Sequence, residues 1–127
     1  MSEKIVIIVG KRGVFLNGIK ALVEAMPEIQ RVVHFHVYSN KLDRIAEIKP
    51  NLIILDFPQI KKDYQKLLSQ FRVSLPLTRI LILVEEKKQQ KEFEELGADK
   101  VLVKGFRGDL FVHTVRSLVN IEKERNF

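Results

Sequence analysis

The amino-acid sequence predicts an α/β domain in which one five-stranded parallel sheet is covered by helices on both faces. Short apolar runs recur at residues 5–9, 52–55, 80–84 and 101–103, as is typical of strands buried on both faces of a parallel sheet. Amphipathic segments separate these runs, and helical crossovers between apolar strands produce parallel sheets. The 127 residues suffice for one core, so we assign 1–127 to a single domain.

The predicted strands and helices alternate along the chain. In order, they are a strand at 5–9, a helix at about 14–26, a strand at 32–38, a short helix through 42–48, a strand at 52–55, a helix through 64–71, a strand at 80–84, a helix at about 87–96, a strand at 101–103 and a helix from 109 onwards.

Some of these elements carry signals of their own. Residues 32–38 alternate between apolar and polar, which predicts a half-buried strand at the edge of the sheet. Ser39 or Asn40 can cap the short helix that follows, and Asp109 can cap the last one. Phe15 is predicted on the core face of the first helix. Gly97 is the predicted C-terminal cap of the helix at 87–96.

Composition excludes several classes of protein. The sequence contains no cysteine, which excludes disulfides, thiolate metal sites and cysteine catalysis. No apolar run approaches the roughly 20 residues of a membrane helix, and the N-terminus lacks the pattern of a signal peptide. We therefore expect a cytoplasmic protein without membrane contact. The net charge of +6 comes from lysines that are scattered among glutamates, which indicates a solvated surface rather than a nucleic-acid stripe.

The predicted topology brings together residues that are distant in sequence. In open parallel sheets, the functional cleft lies at the carboxyl ends of the strands, near the point where the strand order reverses. The residues that follow the predicted strands at this edge are Gly10, Lys11, Asp56, Val84, Glu85 and Lys104.

Three segments of the sequence resemble one known family. Residues 17–24 (NGIKALVE), 49–56 (KPNLIILD) and 97–104 (GADKVLVK) resemble, in order and spacing, parts of the receiver domains of two-component response regulators. The resemblance extends over roughly 4–121. It implies a flavodoxin-like sandwich and a role in signal transduction. Residues 17–24 are most similar to the branch that usually carries a C-terminal helix-turn-helix, which would place this chain in transcription regulation.

The resemblance also implies roles for individual positions. Receivers accept a phosphoryl group from a histidine kinase on an aspartate at the end of the third strand, and Asp56 stands there. Lys104 stands at the position of the conserved lysine. Two acidic residues that help hold Mg²⁺ are expected at Gly10 and Lys11, and neither is acidic.

Two further receiver positions have also lost their chemistry. The hydroxyl residue after the fourth strand is expected at Val84, and the aromatic switch residue of the fifth strand is expected at Val101. With Lys11 and Lys104 beside Asp56, the local charge repels Mg²⁺, which requires carboxylate oxygens. We therefore expect no metal and no cofactor. We also expect that Asp56 is inactive as a phosphoryl acceptor, and that at least one of the two lysines forms an ion pair with it.

Other sites are weakly indicated by the residues. His34 and His36 have a spacing that can bind zinc, but no third ligand is evident. The loop 10–13 (GKRG) lacks the Gly-Lys-Ser/Thr ending of a phosphate-binding loop. Neither a Ser-His-Asp arrangement nor paired carboxylates indicate an enzyme, and we expect none. A flavodoxin-like binder of small molecules is disfavoured because the loops after the strands are short.

The functional hypothesis is a receiver-like signalling domain that acts by protein–protein contact without phosphorylation. Its partners would be a histidine kinase, an output domain or a second copy of the chain. For a homodimer, Phe111 and Val119 are the candidate contacts, since they lie away from the main apolar stripe of the last helix.

Two alternatives to this functional hypothesis stay open. One is the N-terminal module of a longer regulator, which would bind DNA through a domain absent from this chain. The other is a conventional receiver phosphorylated at Asp56.

Overall fold

The computed structural model describes residues 3–36, 42–56 and 61–120, without the side chains of 61–63. Five strands and five helices alternate in this part of the chain. In chain order, they are β1 (Ile5–Val9), α1 (Val14–Glu24), β2 (Arg31–Phe35), α2 (Leu42–Ile48), β3 (Leu52–Asp56), α3 (Lys61–Ser74), β4 (Arg79–Val84), α4 (Lys87–Glu95), β5 (Lys100–Val103) and α5 (Gly108–Val119). The predicted cap at Ser39 or Asn40 lies outside the described residues.

The five strands form one parallel sheet in the order β2-β1-β3-β4-β5. This confirms the predicted fold class and the predicted edge position of β2. The order reverses between β1 and β3, which pair directly, so their carboxyl ends lie side by side. That neighbourhood is the topological switch point, where open α/β sheets place their sites.

Helices cover both faces of the sheet, which explains why the central strands contain unbroken apolar runs. One face packs against α2, α3 and α4 through residues such as Ile45, Phe71 and Phe93. The other face packs against α1 and α5 through residues such as Ile19 and Val115. Since side chains of a strand alternate between its faces, β3 and β4 need the unbroken apolar runs 52–55 and 80–84 to serve both cores.

The first helix differs from its prediction at one residue. Leu16 is 2% exposed and belongs to the core, whereas Phe15 is 36% exposed. The predicted core position of Phe15 is therefore wrong. Leu16, Ile19 and Val23 form the buried stripe instead, at a spacing that suits a helix equally well.

The last helix corrects the expected dimer contacts. Phe111 and Val119 are fully buried, whereas the neighbouring apolar residue Leu110 is 47% exposed. A helix carrying apolar residues at consecutive positions allows several stripes, and packing against α1 and the sheet selected the one that includes Phe111. Asp109 is not the N-cap, which is Arg107. Its carboxylate lies within the first turn of α5 and accepts a hydrogen bond from the Leu110 amide at 3.1 Å.

The C-cap of α4 is Leu96, and the glycine predicted to end this helix is the next residue. Gly97 follows α4 with a positive φ of 104°, a conformation that favours glycine after a helix C-terminus. Within the described residues, no helix has the length and apolar character needed to span a bilayer.

Candidate functional site

The site begins at the contact between the ends of β1 and β3. Val9 pairs with Leu55 in the sheet, so Gly10 and Asp56 come next on adjacent strands. A Cβ atom added at Gly10 would lie 2.9 Å from Cβ of Asp56 and 3.2 Å from Cδ2 of Leu16. The carboxyl end of β1 therefore approaches Asp56 too closely for a side chain at position 10.

Among the described residues, Lys104 is the only cation that forms an ion pair with Asp56. Its Nζ atom lies 2.6 Å from Oδ1 of Asp56 and 2.8 Å from Oε1 of Glu85. The same ammonium lies 4.7 Å from the ring centroid of Phe15, within the range of a cation–π contact. One cation thus connects the ends of β3, β4 and β5 with the start of α1.

The two carboxylates bind the ammonium differently. Glu85 accepts a hydrogen bond from Lys104 at 2.8 Å, and the contact with Asp56 is a shorter ion pair. Oδ1 of Asp56 is buried, whereas the Glu85 side chain is 47% exposed. Burial alone disfavours the charged form of Lys104, but the interactions with Asp56 and then Glu85 outweigh it and raise the pKa of Lys104.

The turns after β4 and β5 position these groups. The Lys104 amide donates to the carbonyl of Val84 at 2.8 Å, which continues the β4–β5 pairing as far as the site. Gly105 follows with a φ of 103°, so the chain turns directly after the lysine. After β4, the side-chain oxygen of Gln89 in α4 accepts hydrogen bonds from the amides of Glu85 and Glu86, which holds the turn carrying Glu85.

Aromatic rings close the site on the side of α1 and α5. Phe15 meets Phe106 edge to face with 6.1 Å between ring centroids, and Phe106 stacks on the buried Phe111 at 5.6 Å. The ring below the ammonium is therefore supported by the core of the domain. Phe15 thus has a position in the site that the periodicity of α1 did not reveal.

Lys11 does not take part in the site. It is exposed, and it forms no ion pair with any residue of the described ranges. The expected pairing of a lysine with Asp56 is confirmed for Lys104 alone. The site therefore does not have the positive charge expected from Asp56, Lys11 and Lys104. It contains two carboxylates, Asp56 and Glu85, and one ammonium, Lys104.

The donor set does not fit a magnesium ion. Mg²⁺ requires an octahedron of oxygens and usually one or two carboxylates. Position 10 offers no side chain and Lys11 is basic, and the ammonium of Lys104 already lies against both carboxylates of the site, Asp56 and Glu85. In the described ranges, three or more histidine, aspartate and glutamate side chains nowhere converge as a metal site would require. His34 instead hydrogen-bonds through Nε2 with the carbonyl of Gly10 at 2.7 Å.

Val84 and Val101 lie in the apolar core that α3 and α4 cover. Both are essentially fully buried, 1% and 0% exposed, and both belong to the same cluster of apolar side chains. At these two positions, the chain has packing where the receiver resemblance expects a hydroxyl and an aromatic ring.

Comparisons with solved structures decide the type of fold. The signal receiver domain of a DNA-binding response regulator (merR) from Colwellia psychrerythraea 34H superposes with a TM-score of 0.79 at 14% identity, covering 94% of this chain and 100% of that one. The receiver domain of the putative response regulator NarL from Mycobacterium tuberculosis gives 0.75 at 21% identity, covering 93% and 98%. The chain has the receiver fold.

A third neighbour with this fold has a different role. It is a putative pilus assembly protein (cpaE) from Burkholderia thailandensis E264, with a TM-score of 0.78 at 10% identity, covering 93% of this chain and 99% of that one. No protein-family model and no curated protein matches the sequence. The receiver fold thus rests on geometry, and in this structure Asp56 ends β3 while Lys104, the residue after β5, contacts it.

Proposed function

We propose that this domain is a signalling receiver that acts by protein–protein contact, in the cytoplasm, without phosphorylation and without enzymatic activity. One observation supports the proposal more than any other. The two positions at which the receiver resemblance expects acidic residues for Mg²⁺ hold Gly10, where an added Cβ would lie 2.9 Å from Cβ of Asp56, and the exposed Lys11.

The surroundings of the site support the same proposal. An ammonium satisfies two carboxylates electrostatically, but it cannot bridge Asp56 to the oxygens of an incoming phosphoryl group with the geometry of Mg²⁺. Val84 and Val101 supply neither a hydroxyl nor a ring whose movement could report phosphorylation. The conformation would then be set by the side chains of the domain itself, and control would come from binding partners.

Phosphoryl donors provide the test. We expect that incubation with acetyl phosphate and Mg²⁺ leaves the intact mass unchanged, and that beryllofluoride leaves the backbone amide shifts near Asp56 unchanged. Asp56→Asn is the matched control, because it keeps the shape of the side chain and removes the acceptor. An adduct that forms on the natural chain and not on Asp56→Asn would instead establish a conventional receiver.

One comparison favours a second candidate function. The merR neighbour is the receiver domain of a DNA-binding regulator, and residues 17–24 resemble the branch that usually carries a helix-turn-helix. In that case, the chain is the N-terminal module of a longer regulator. Sequencing the gene past the codon for Phe127 tests this candidate, and a stop codon there would refute it.

Association into a homodimer is part of the main proposal. With Phe111 and Val119 buried, the residues of α5 available for contact include Leu110, which is 47% exposed, and His113. Sedimentation equilibrium over a wide range of concentrations tests the idea, and a monomer at the highest concentration would refute it.

A further inference from the structure

Two loops at the carboxyl end of the sheet form a surface with an unusual composition. The loop before α1 contributes two exposed cations, the first two residues of α1 are exposed and apolar, and the loop before α5 contributes an aromatic ring and a third cation. We call this the basic–apolar surface, and its residues are Lys11, Arg12, Val14, Phe15, Phe106 and Arg107.

The rings hold the two loops together. Phe15 and Phe106 are in edge-to-face contact with 6.1 Å between centroids, and α1 and α5 pack side by side below them, with Leu22 4.0 Å from a Cβ built at Gly108. The two touching rings form one apolar patch, and Lys11, Arg12 and Arg107 lie within four residues of one ring or the other along the chain. Because Phe106 stacks on the buried Phe111, the patch has rigid support and does not depend on loop order alone.

The exposed side chain of Val14 has no role in folding that explains it. Val14 is 94% exposed at the first position of α1, and Phe15 is 36% exposed. Valine has a low helix propensity, so at an exposed helical position it contributes little to stability. Apolar side chains exposed next to one another are a common mark of a binding surface.

The charges around the patch are also unfavourable for the isolated domain. Lys11 and Arg12 precede the N-terminus of α1, where positive charge is destabilising, and the first turn contains no acidic residue. Arg107 is 85% exposed, and its contact with Asp109 is an exposed pair that contributes little. Local choices that oppose stability in this way are expected at functional surfaces.

We propose that the basic–apolar surface binds an acidic segment of a partner protein, in which carboxylates contact Lys11, Arg12 and Arg107 and an apolar side chain covers Val14 and Phe15. This inference rests on the proposed function, since it supplies the partner class for a domain that acts by protein contact. Charge complementarity determines the choice of partner.

The neighbouring carboxylates favour a protein segment over a lipid or nucleic-acid surface. Glu85, which contacts Lys104, is 47% exposed, and Asp109, which contacts Arg107, is 73% exposed. These two carboxylates would repel a continuous anionic surface that approached the cations. A peptide can place single carboxylates at the three cations and avoid the acidic neighbours.

A selection from random short peptides displayed on phage, with the purified chain of residues 1–127 as bait, tests the proposal. We expect enriched sequences that combine aspartate or glutamate with leucine or phenylalanine. Synthetic copies should bind the triple variant Lys11→Glu, Arg12→Glu, Arg107→Glu about tenfold more weakly or worse. Val14→Ser should weaken binding by several fold.

Matched variants separate this surface from general effects of charge and hydrophobicity. The triple variant Lys87→Glu, Lys88→Glu, Lys91→Glu on α4 lowers the net charge from +6 to 0, as the first triple variant does, because each reversal removes two charges. Val73→Ser removes another valine that is 84% exposed on a helix. Both controls should leave binding unchanged, and circular dichroism should show that all variants are folded.

Three outcomes would overturn the proposal. They are an enriched set without acidic residues, peptide binding that the control variants reduce as much as the surface variants do, and tighter surface-dependent binding to equimolar phosphatidylcholine–phosphatidylglycerol vesicles or to a single-stranded oligonucleotide. The selection contains no phosphoryl donor, so its result is independent of the acetyl phosphate test. An Asp56 adduct together with intact peptide binding would refute only the phosphorylation-independent function.

Discussion

The ammonium of Lys104 lies 2.6 Å from Oδ1 of Asp56, although β4 separates their strands in the sheet. The lysine reaches across the end of β4 and also contacts Glu85 on the way. Side chains of Lys104 and Asp56 are 20% and 16% exposed, so this ion pair is largely withdrawn from solvent. Removing either side chain should leave the charge of the other partly buried and without sufficient opposite charge nearby.

Removal of the ammonium should therefore destabilise the domain. We expect Lys104→Met to lower the free energy of unfolding by about 1–3 kcal/mol, because it leaves the carboxylate of Asp56 partly buried without a cation. Urea unfolding followed by circular dichroism measures the change. Lys100→Met, at an exposed position on the same strand, is the matched control and should change stability by less than about 0.5 kcal/mol. Equal effects of the two substitutions would contradict a stabilising ion pair.

The contribution of Lys104 should disappear in alkali. Its pKa is raised in the folded state, after the two carboxylates outweigh the opposing effect of burial. A raised lysine pKa stabilises the fold fully below the unfolded value of about 10.4, and this stabilisation is lost as pH rises through the higher folded value. The difference in stability between the natural chain and Lys104→Met should thus be constant from neutral pH to about 10 and decrease above it. A difference that already decreases near neutrality would exclude this lysine as the cause.

Gly10 should not tolerate a side chain. In Gly10→Ala, the new Cβ lies 2.9 Å from Cβ of Asp56, so β1, β3 or Leu16 must shift, and we expect a loss of about 1–3 kcal/mol. Gly18→Ala is the control, since its Cβ has open space on α1 and alanine favours a helix. That control should stabilise the domain by about 0.5–1 kcal/mol in the same urea experiment. A neutral Gly10→Ala would mean that the two strand ends separate easily.

A second cluster of ion pairs lies at the opposite end of the strands, where β4 and β5 begin. Asp99 accepts from Arg72 at 2.7 Å and from the Ile80 amide at 2.8 Å, and its other oxygen lies 3.7 Å from Nη1 of Arg79, which is 4% exposed. Asp99→Asn should cost about 1–3 kcal/mol, because it leaves a buried guanidinium without its counterion. The same change at Asp109, in the exposed pair with Arg107, should cost less than about 1 kcal/mol. Thermal or urea unfolding of both variants decides, and similar losses would contradict the burial argument.

Magnesium should not bind at the end of β3. An ammonium contacts Asp56, and the neighbouring positions Gly10 and Lys11 supply no carboxylate, so we expect no saturable change in the amide shifts of this region below millimolar Mg²⁺. Titration of Lys104→Met in parallel tests whether removal of the competing cation is sufficient. Submillimolar binding to the natural chain would contradict the account of the site given above.

The sequence by itself determined the layers of this protein and the placement of its central pair. Apolar runs such as 52–55 have no polar face, so they require helices on both sides of a sheet, and the resulting parallel order brings Asp56 and Lys104 to one edge. Gly97 permits the positive φ that the chain adopts after α4, because glycine has no Cβ. These features depend on local periodicity and on the order of the elements, and short stretches of residues are sufficient to predict both.

Tertiary packing decided which neighbours reached the pair. Glu85 and Lys11 both follow strands and carry long flexible side chains, yet Glu85 contacts Lys104 and Lys11 faces solvent. Periodicity allowed either Phe15 or Leu16 in the core, and either Phe111 or Leu110, because each pair occupies adjacent positions on a helix. The choice depends on how α1 and α5 rotate against each other and the sheet, a long-range balance of packing that is not visible in the residues of either helix alone.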